Sequence, residues 1–458
     1  MTAREEIWTP ATVQVLQNAY RSVFPLMTDE EFAQDVLRIA PRTLYNWRSR
    51  PETKLRSVVQ RELSRALIAA PPEVVERFRA MQYPTDGRSG SVTLAANAGQ
   101  NPTVYPAALE GAISVLGSLA DPAAEHMTYR PGDLAATVLD WLTSSTGQAM
   151  AGADGSRVTA GNVVQIRTMI SAIDTIERTV GGAECRATAR RYLHAVALPM
   201  LHREVESHAR TDLFSAVAEL CEVVGWMYYD AGRHGVGQSY FTQALRLTRE
   251  VGDDALSAYL MTSIAHQALH LGESAEALRV AKIGRNVAEY ANSPHVLVEA
   301  DLLVARSHAA LGQAGDATAA LQRAEHSYER SEAGGARAWE PQWDEIMFAS
   351  HAGTCWNDLG NTKEARRHLS QVWEGSGGRP RRRIYSAAEL GIAATREGEL
   401  ELACHYGTEI VALTDNVDSS RAHRHLERLS VKLKPFLNTR VVRDFFDQCG
   451  LNSEGAGR

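Results

Sequence analysis

Residues 221–245, CEVVGWMYYDAGRHGVGQSYFTQAL, carry a small residue at Gly225, a turn glycine at Gly232 and a second small residue at Gly237. Tyr228, Phe241 and Ala244 fill the large and small positions around them. Such a frame describes two helices that touch closely across a tight turn. A glycine accepts the left-handed backbone that ends a helix, and a missing side chain lets two helices approach. The frame recurs in phase. Gly272, Gly312, Gly360 and Gly398 each follow a small residue by seven positions (Ala265, Ala305, Gly353, Gly391) and precede another by five (Ala277, Ala317, Ala365, Ala403). Segments 264–284, IAHQALHLGESAEALRVAKIG, and 304–324, VARSHAALGQAGDATAALQRA, keep the frame while losing the aromatics. Subtracting the glycine numbers gives spacings of 40, 40, 48 and 38 residues. The commonest repeat of this type has roughly 34, so the helices or their connections are longer here. An ordinary bundle with Gly–Ala packing would not keep five copies in phase. Residues 210–450 therefore read as an α-solenoid of about five hairpins, an architecture that presents an extended binding surface.

A chain of 458 residues is too long for one compact core and suggests two or three units. Alanine, leucine, arginine and glutamate are plentiful and period-two alternation is nearly absent, so the fold class is all-α. No apolar run reaches the roughly 18 residues of a membrane span. The start, MTAREEIWTP, lacks the basic-then-apolar order of a secretion signal, so a cytoplasmic protein without membrane contact is expected. Cys185, Cys221, Cys355, Cys404 and Cys449 are scattered without a CxxC pair and read as small core residues. Phosphate loops of the GxxxxGKS/T kind, GxSxG elbows and distinctive carboxylate pairs are missing. The chain is not expected to be an enzyme or to hold a cofactor. His266 and His270 stand four apart without the glutamate of an HExxH arrangement, so they read as groove polarity and not as metal ligands.

The net charge of −7 hides a local basic stretch. Arg38, Arg42, Arg48, Arg50, Lys54, Arg56, Arg61 and Arg65 face only Glu52 and Glu62 over residues 38–65. Just before and within it, residues 8–48 read as three short helices. Trp8, Val13, Leu16 and Tyr20 give the first an apolar side, and Thr28 with Glu31 three residues later makes a capping box for the second. The third starts at Pro41, with Leu44 and Trp47 facing inward and Arg42, Thr43, Asn46 and Arg48 outward. This is the order of a helix-turn-helix, in which the third helix reads base edges and its flanks hold phosphates. Arg42, Thr43 and Asn46 are the candidates for bases, and Thr28, Tyr45, Arg48, Arg50 and Lys54 for the backbone of double-stranded DNA.

Residues 30–51, EEFAQDVLRIAPRTLYNWRSRP, resemble the helix-turn-helix of the Xre-type regulator class, in which FA, a hydrophobic turn residue and RTxxxW recur. Phe32–Ala33 lies one residue further from Ile39 than in that class, and Arg38 stands where glycine is usual. The second helix is therefore expected to be a residue longer, or the turn looser. Residues 170–201 and 220–272 resemble the middle and repeat regions of actinobacterial helix-turn-helix regulators with a C-terminal tetratricopeptide array. That resemblance implies transcriptional control of development or secondary metabolism. It also implies that the first helix of each hairpin faces a concave groove. Carried over, those positions are Trp226, Tyr229, Asp230, Tyr259, His266, His270, Arg306, Asn357, Asp358, Tyr385 and Arg396. Aromatic, amide and charged groups on one wall suit a peptide, and a small molecule or protein is also open.

The resulting map is a DNA-binding domain at 1–81, a Gly-, Ser- and Pro-rich linker at 82–106, a connecting helical region at 107–209, the array at 210–450 and a disordered tail at 451–458. RPRRR at 379–383 reads as a solvated connector between repeats, with a distal DNA or RNA contact left open. A regulator of this design is expected to be a homodimer, because one short recognition helix makes too few base contacts for a specific site. The competing expectation is a protein-interaction scaffold without specific DNA binding.

Overall fold

The computed structural model describes residues 10–23, 27–49, 101–145, 153–180, 182–332, 336–337, 339–414 and 419–449, with isolated positions between 55 and 74. The chain divides into two compact units at residue 98. Trp8, Arg50, Lys54, the Arg48 side chain and the tail at 451–458 lie outside what is described.

In the N-terminal unit, α1 (Pro10–Val23) is followed by a short helix, α2 (Asp29–Glu31), that continues as a π-helical turn over Phe32–Val36, and then by α3 (Pro41–Ser49). The capping box is present. The Glu31 amide donates to Thr28 Oγ1 at 3.2 Å, and the Thr28 amide donates to Glu31 Oε2 at 2.8 Å. A π-turn holds one residue more than an α-turn, so it absorbs the extra residue between Phe32 and Ile39. Arg38 then takes a left-handed conformation, φ 54°, where glycine is usual. Val13, Leu16, Tyr20, Phe32, Ala33, Leu37, Leu44 and Trp47 form the core, joined by Leu63 and Val74.

The second unit opens with residues 101–106, which are docked and not linker-like. Ser239 and Gln243 both donate to the Pro102 carbonyl, each at 2.8 Å, and Thr103 donates to Asp133 at 2.6 Å. The segment is held through polar groups and through Tyr105, which is buried in the core of this unit. Next come α4 (Leu109–Ser118), α5 (Gly132–Thr143), α6 (Ala160–Val180) and α7 (Gly182–Tyr192). Two short strands, β1 (Ala153–Val158) and β2 (Arg203–Val205), pair in parallel and are the only strands among the described residues.

Five helical hairpins follow: α8 and α9 (Arg210–Asp230, His234–Val251), α10 and α11 (Asp254–His270, Ser274–Tyr290), α12 and α13 (Pro294–Ala310, Ala314–Glu332), α14 and α15 (Glu345–Asp358, Thr362–Gly375), and α16 and α17 (Pro380–Glu397, Leu400–Thr414). A sixth pair, α18 (Ser420–Leu433) and α19 (Arg440–Gln448), completes the stack. The five turn glycines all have φ between 72° and 90°. After each, the next amide donates to the carbonyl five residues back: Arg233 to Tyr228, Glu273 to Ala268, Gln313 to His308, Asn361 to Trp356 and Glu399 to Ala394. That bond closes the helix end and fixes the reversal. The long spacings have two sources. Helices in the first three hairpins run 17 to 21 residues, and the 48-residue interval contains the connection between α13 and α14.

The small residues at the crossings are contact points. A Cβ on Gly225 would lie 2.6 Å from the fully buried Phe241 ring, and one on Gly353 would lie 2.7 Å from Leu369 Cγ. Gly225→Ala is expected to destabilise the array by about 1–3 kcal/mol through overpacking. Gly315→Ala, on a helix with nothing within 4 Å of the added carbon, is expected to be neutral or slightly stabilising. Thermal unfolding of the two variants checks the contrast. Equal melting temperatures would mean that the crossing is looser than these distances.

Candidate functional site

On the N-terminal unit, Leu44 and Trp47 are buried and fix the rotation of α3. Arg42, Tyr45 and Asn46 are exposed along its other side, with Thr43 partly so, and Thr28 is exposed at the α2 cap.

In the array, the first helices of hairpins two to five curve around a cavity of about 1010 Å³. His266 and His270 enter it from α10, Arg306 from α12, His351 and Asp358 from α14, and Tyr385 and Glu389 from α16. The opposite side is α18. Its Arg421, Arg424, His425 and Arg428 follow the i, i+3, i+4, i+7 spacing that puts them on one face. Arg379, Arg381 and Arg382 also line the cavity, from the start of α16. RPRRR is therefore not a solvated connector. Arg381 lies 3.7 Å from Asp230, Arg382 lies 3.7 Å from Asp344, and the Arg383 guanidinium sits 3.6 Å above the centre of the Trp373 ring.

Five of the eleven expected groove residues line the cavity: His266, His270, Arg306, Asp358 and Tyr385. The others are spent on internal contacts. Trp226 donates to Ser263 Oγ at 3.1 Å, and Tyr229 is buried with its hydroxyl 3.1 Å from His266 Nδ1. Tyr259 packs against Trp339 with ring centres 5.6 Å apart. Asn357 donates to Glu389 Oε2 at 2.8 Å and accepts from Arg396 at 2.9 Å, so that pair braces α14 against α16.

Asp230 closes the array. It ends α8, and its carboxylate accepts from Arg421 Nε at 2.7 Å and Ser419 Oγ at 3.0 Å, while its carbonyl accepts from Ser420 Oγ at 2.8 Å. The Arg421 guanidinium also lies 5.2 to 5.4 Å from the centres of the Trp226, Tyr229 and Tyr385 rings. The first hairpin is thus tied to the sixth pair, a contact that an open solenoid does not make.

Charge in the cavity rests on arginine. Burial, and then the neighbouring arginines, push His351 down to about 3 and His270 down to about 2, and hold His266 and His425 well below the ordinary imidazole value. All four rings are neutral at neutral pH. Burial and the nearby Glu389 carboxylate raise Asp358. Arg428 sits between these acids, 2.7 Å from Glu389 and 3.8 Å from Asp358. Arg306, Arg379 and Arg424 also line the cavity, and among the described residues none has a carboxylate within ion-pair distance.

No protein-family model matches the sequence, and none of the curated proteins matches it.

Proposed function

We propose that the chain is a DNA-binding transcriptional regulator, dimeric in action, whose repeat array binds a ligand in the arginine-lined cavity and alters DNA affinity. The observation that carries the reading is the side-chain partition of α3. Leu44 and Trp47 anchor it in the core, and Arg42, Tyr45 and Asn46 stand exposed beyond a left-handed turn at Arg38. Arginine pairs with guanine and asparagine with adenine through two bonds each, and an exposed tyrosine beside them suits a phosphate. The resemblance to actinobacterial regulators adds control of development or secondary metabolism. A ligand in the cavity changes DNA affinity only as far as it binds one state of the protein better than the other.

Genome-wide recovery of DNA bound to the full chain, followed by a footprint, tests this. A repeated motif with half-sites one helical turn or a multiple apart is expected. Arg42→Ala or Asn46→Ala should weaken the specific site by about 1–3 kcal/mol, and affinity should fall steeply with salt. If no sequence is enriched and the variants bind as the parent does, the reading fails and a protein-interaction scaffold takes its place.

A further inference from the structure

We propose that the cavity between the first helices of the hairpins and α18 is a binding site for a compact organic polyanion of nucleotide size, held through phosphate groups by Arg306, Arg424 and Arg379. The proposal rests on the ligand-binding half of the function proposed above and is independent of DNA binding.

The first ground is unmatched charge. Arg381, Arg382, Arg421 and Arg428 each have an acid within 4 Å, in Asp230, Asp344, Glu389 and Asp358. The remaining three arginines of the lining have none among the described residues. Like charges gathered in a concave wall repel one another and attract an anion strongly. The second ground is unmet hydrogen bonding. Arg306 Nε, His351 Nδ1 and His425 Nδ1 are buried atoms without a partner among the described residues, and all three residues line the cavity. Buried polar atoms in folded proteins are nearly always bonded, so a cluster of orphans around one space marks where a ligand's atoms belong. The third is shape. A volume of about 1010 Å³ lies at the upper end of small-molecule sites, near 300–1,000 Å³ by common measure. Because α18 crosses the concave side and is tied to Asp230, an extended peptide would have to displace that helix, whereas a compact ligand would not. Arginine's planar fork matches the oxygens of phosphate. Leu269, Met347 and Leu369 supply an apolar surface in the same space for the organic part.

The test is titration calorimetry and thermal shift on the full chain, without DNA, using inorganic phosphate, pyrophosphate, ATP, citrate and an acidic pentapeptide at matched ionic strength. ATP or pyrophosphate is expected to bind at one per chain and to raise the melting temperature. Arg424→Gln and Arg306→Gln should each weaken that binding about tenfold to a hundredfold. Neither arginine makes an ion pair among the described residues, so both variants should fold. Arg440→Gln, on the exposed side of α19, should bind as the parent does. Equal shifts from chloride alone, or binding indifferent to both substitutions, would overturn the site. Tighter binding of citrate or the peptide would overturn the phosphate assignment. Should the anions fail to bind while the DNA footprint still depends on Arg42, this inference falls and the regulator reading stands.

Discussion

Asp230→Ala is expected to cost the array about 3–5 kcal/mol, because it leaves the Arg421 guanidinium buried without a counter-charge. In the folded protein the two side chains are only 11% and 16% exposed, so water cannot replace the lost carboxylate. The substitution also strands the Ser419 hydroxyl, which donates to the same oxygen. A second effect follows from topology. Repeats that touch only their neighbours unfold with limited cooperativity, whereas the Asp230 junction links the first hairpin to the sixth pair. Removing it should lower the slope of urea unfolding as well as its midpoint, since the ends would then unfold separately. Far-UV circular dichroism of the array transition measures both. Asp230→Asn combined with Arg421→Gln should recover much of the loss, because the stranded charge disappears with its partner. Unchanged midpoint and slope in Asp230→Ala would mean that α18 is held by packing alone.

The hairpins were legible because each turn has a strict chemical requirement. A left-handed residue must follow the first helix, and small residues must stand where the two helices cross. Gly232 with Gly225 and Gly237 meets both needs, and the other four copies repeat them. The sixth pair was missed for the same reason. Its two helices are joined through a short 3-10 turn at Lys434–Phe436 with no glycine in phase. With α18 unseen, the stripe of Arg421, Arg424, His425 and Arg428 had no groove to belong to. Groove residues near the start of the array were over-assigned because α8 is buried on nearly every side. Its sequence therefore carries little periodicity to separate an open concave position from a covered one, and Trp226 and Tyr229 lie under Arg421 of α18 and do not line the cavity. RPRRR looked solvated because its partner Asp230 lies far upstream and only the curvature of the array brings it near.

The extra residue at the N-terminal turn was legible as a count, but its remedy was not. A π-turn or a longer loop fits the same sequence, and the choice is made by burial of Phe32 and Ala33 together with Leu37.

Acid should lower the melting temperature of the array steadily below pH 6.5. Burial, the first cause in every case, lowers seven histidines. His270 falls to about 2, His351 to about 3 and His194 and His234 to about 4, with His266, His368 and His425 also depressed. A histidine lowered on folding is neutral in the folded chain and charged in the unfolded one between its two pKa values. The unfolded state then binds more protons, and stability falls as pH drops through the unfolded value near 6.5. Buried carboxyls act in the opposite direction. Burial raises Glu222 to about 8 and Glu299 to about 7, and also raises Glu219, Asp254 and Asp358. Folded, they keep protons that the unfolded chain has released, so between about pH 4.5 and 8 they erode stability as pH rises. Seven histidines outweigh five carboxyls below pH 6.5, leaving a net uptake of about two protons or more on unfolding and a fall in melting temperature of about 3–5 °C per pH unit. Above pH 7 the histidines no longer titrate, and Glu222 and Glu299, joined toward pH 9 by the thiols of Cys221, Cys355, Cys404 and Cys449, which burial also raises, set a shallow decline. A melting curve series from pH 4.5 to 9 should therefore peak near pH 6.5 to 7, and Glu222→Gln should flatten the alkaline side while leaving the acid side steep. A melting temperature constant from pH 5 to 7 would show that these imidazoles are hydrated in the folded chain and that the cavity is wetter than its packing implies.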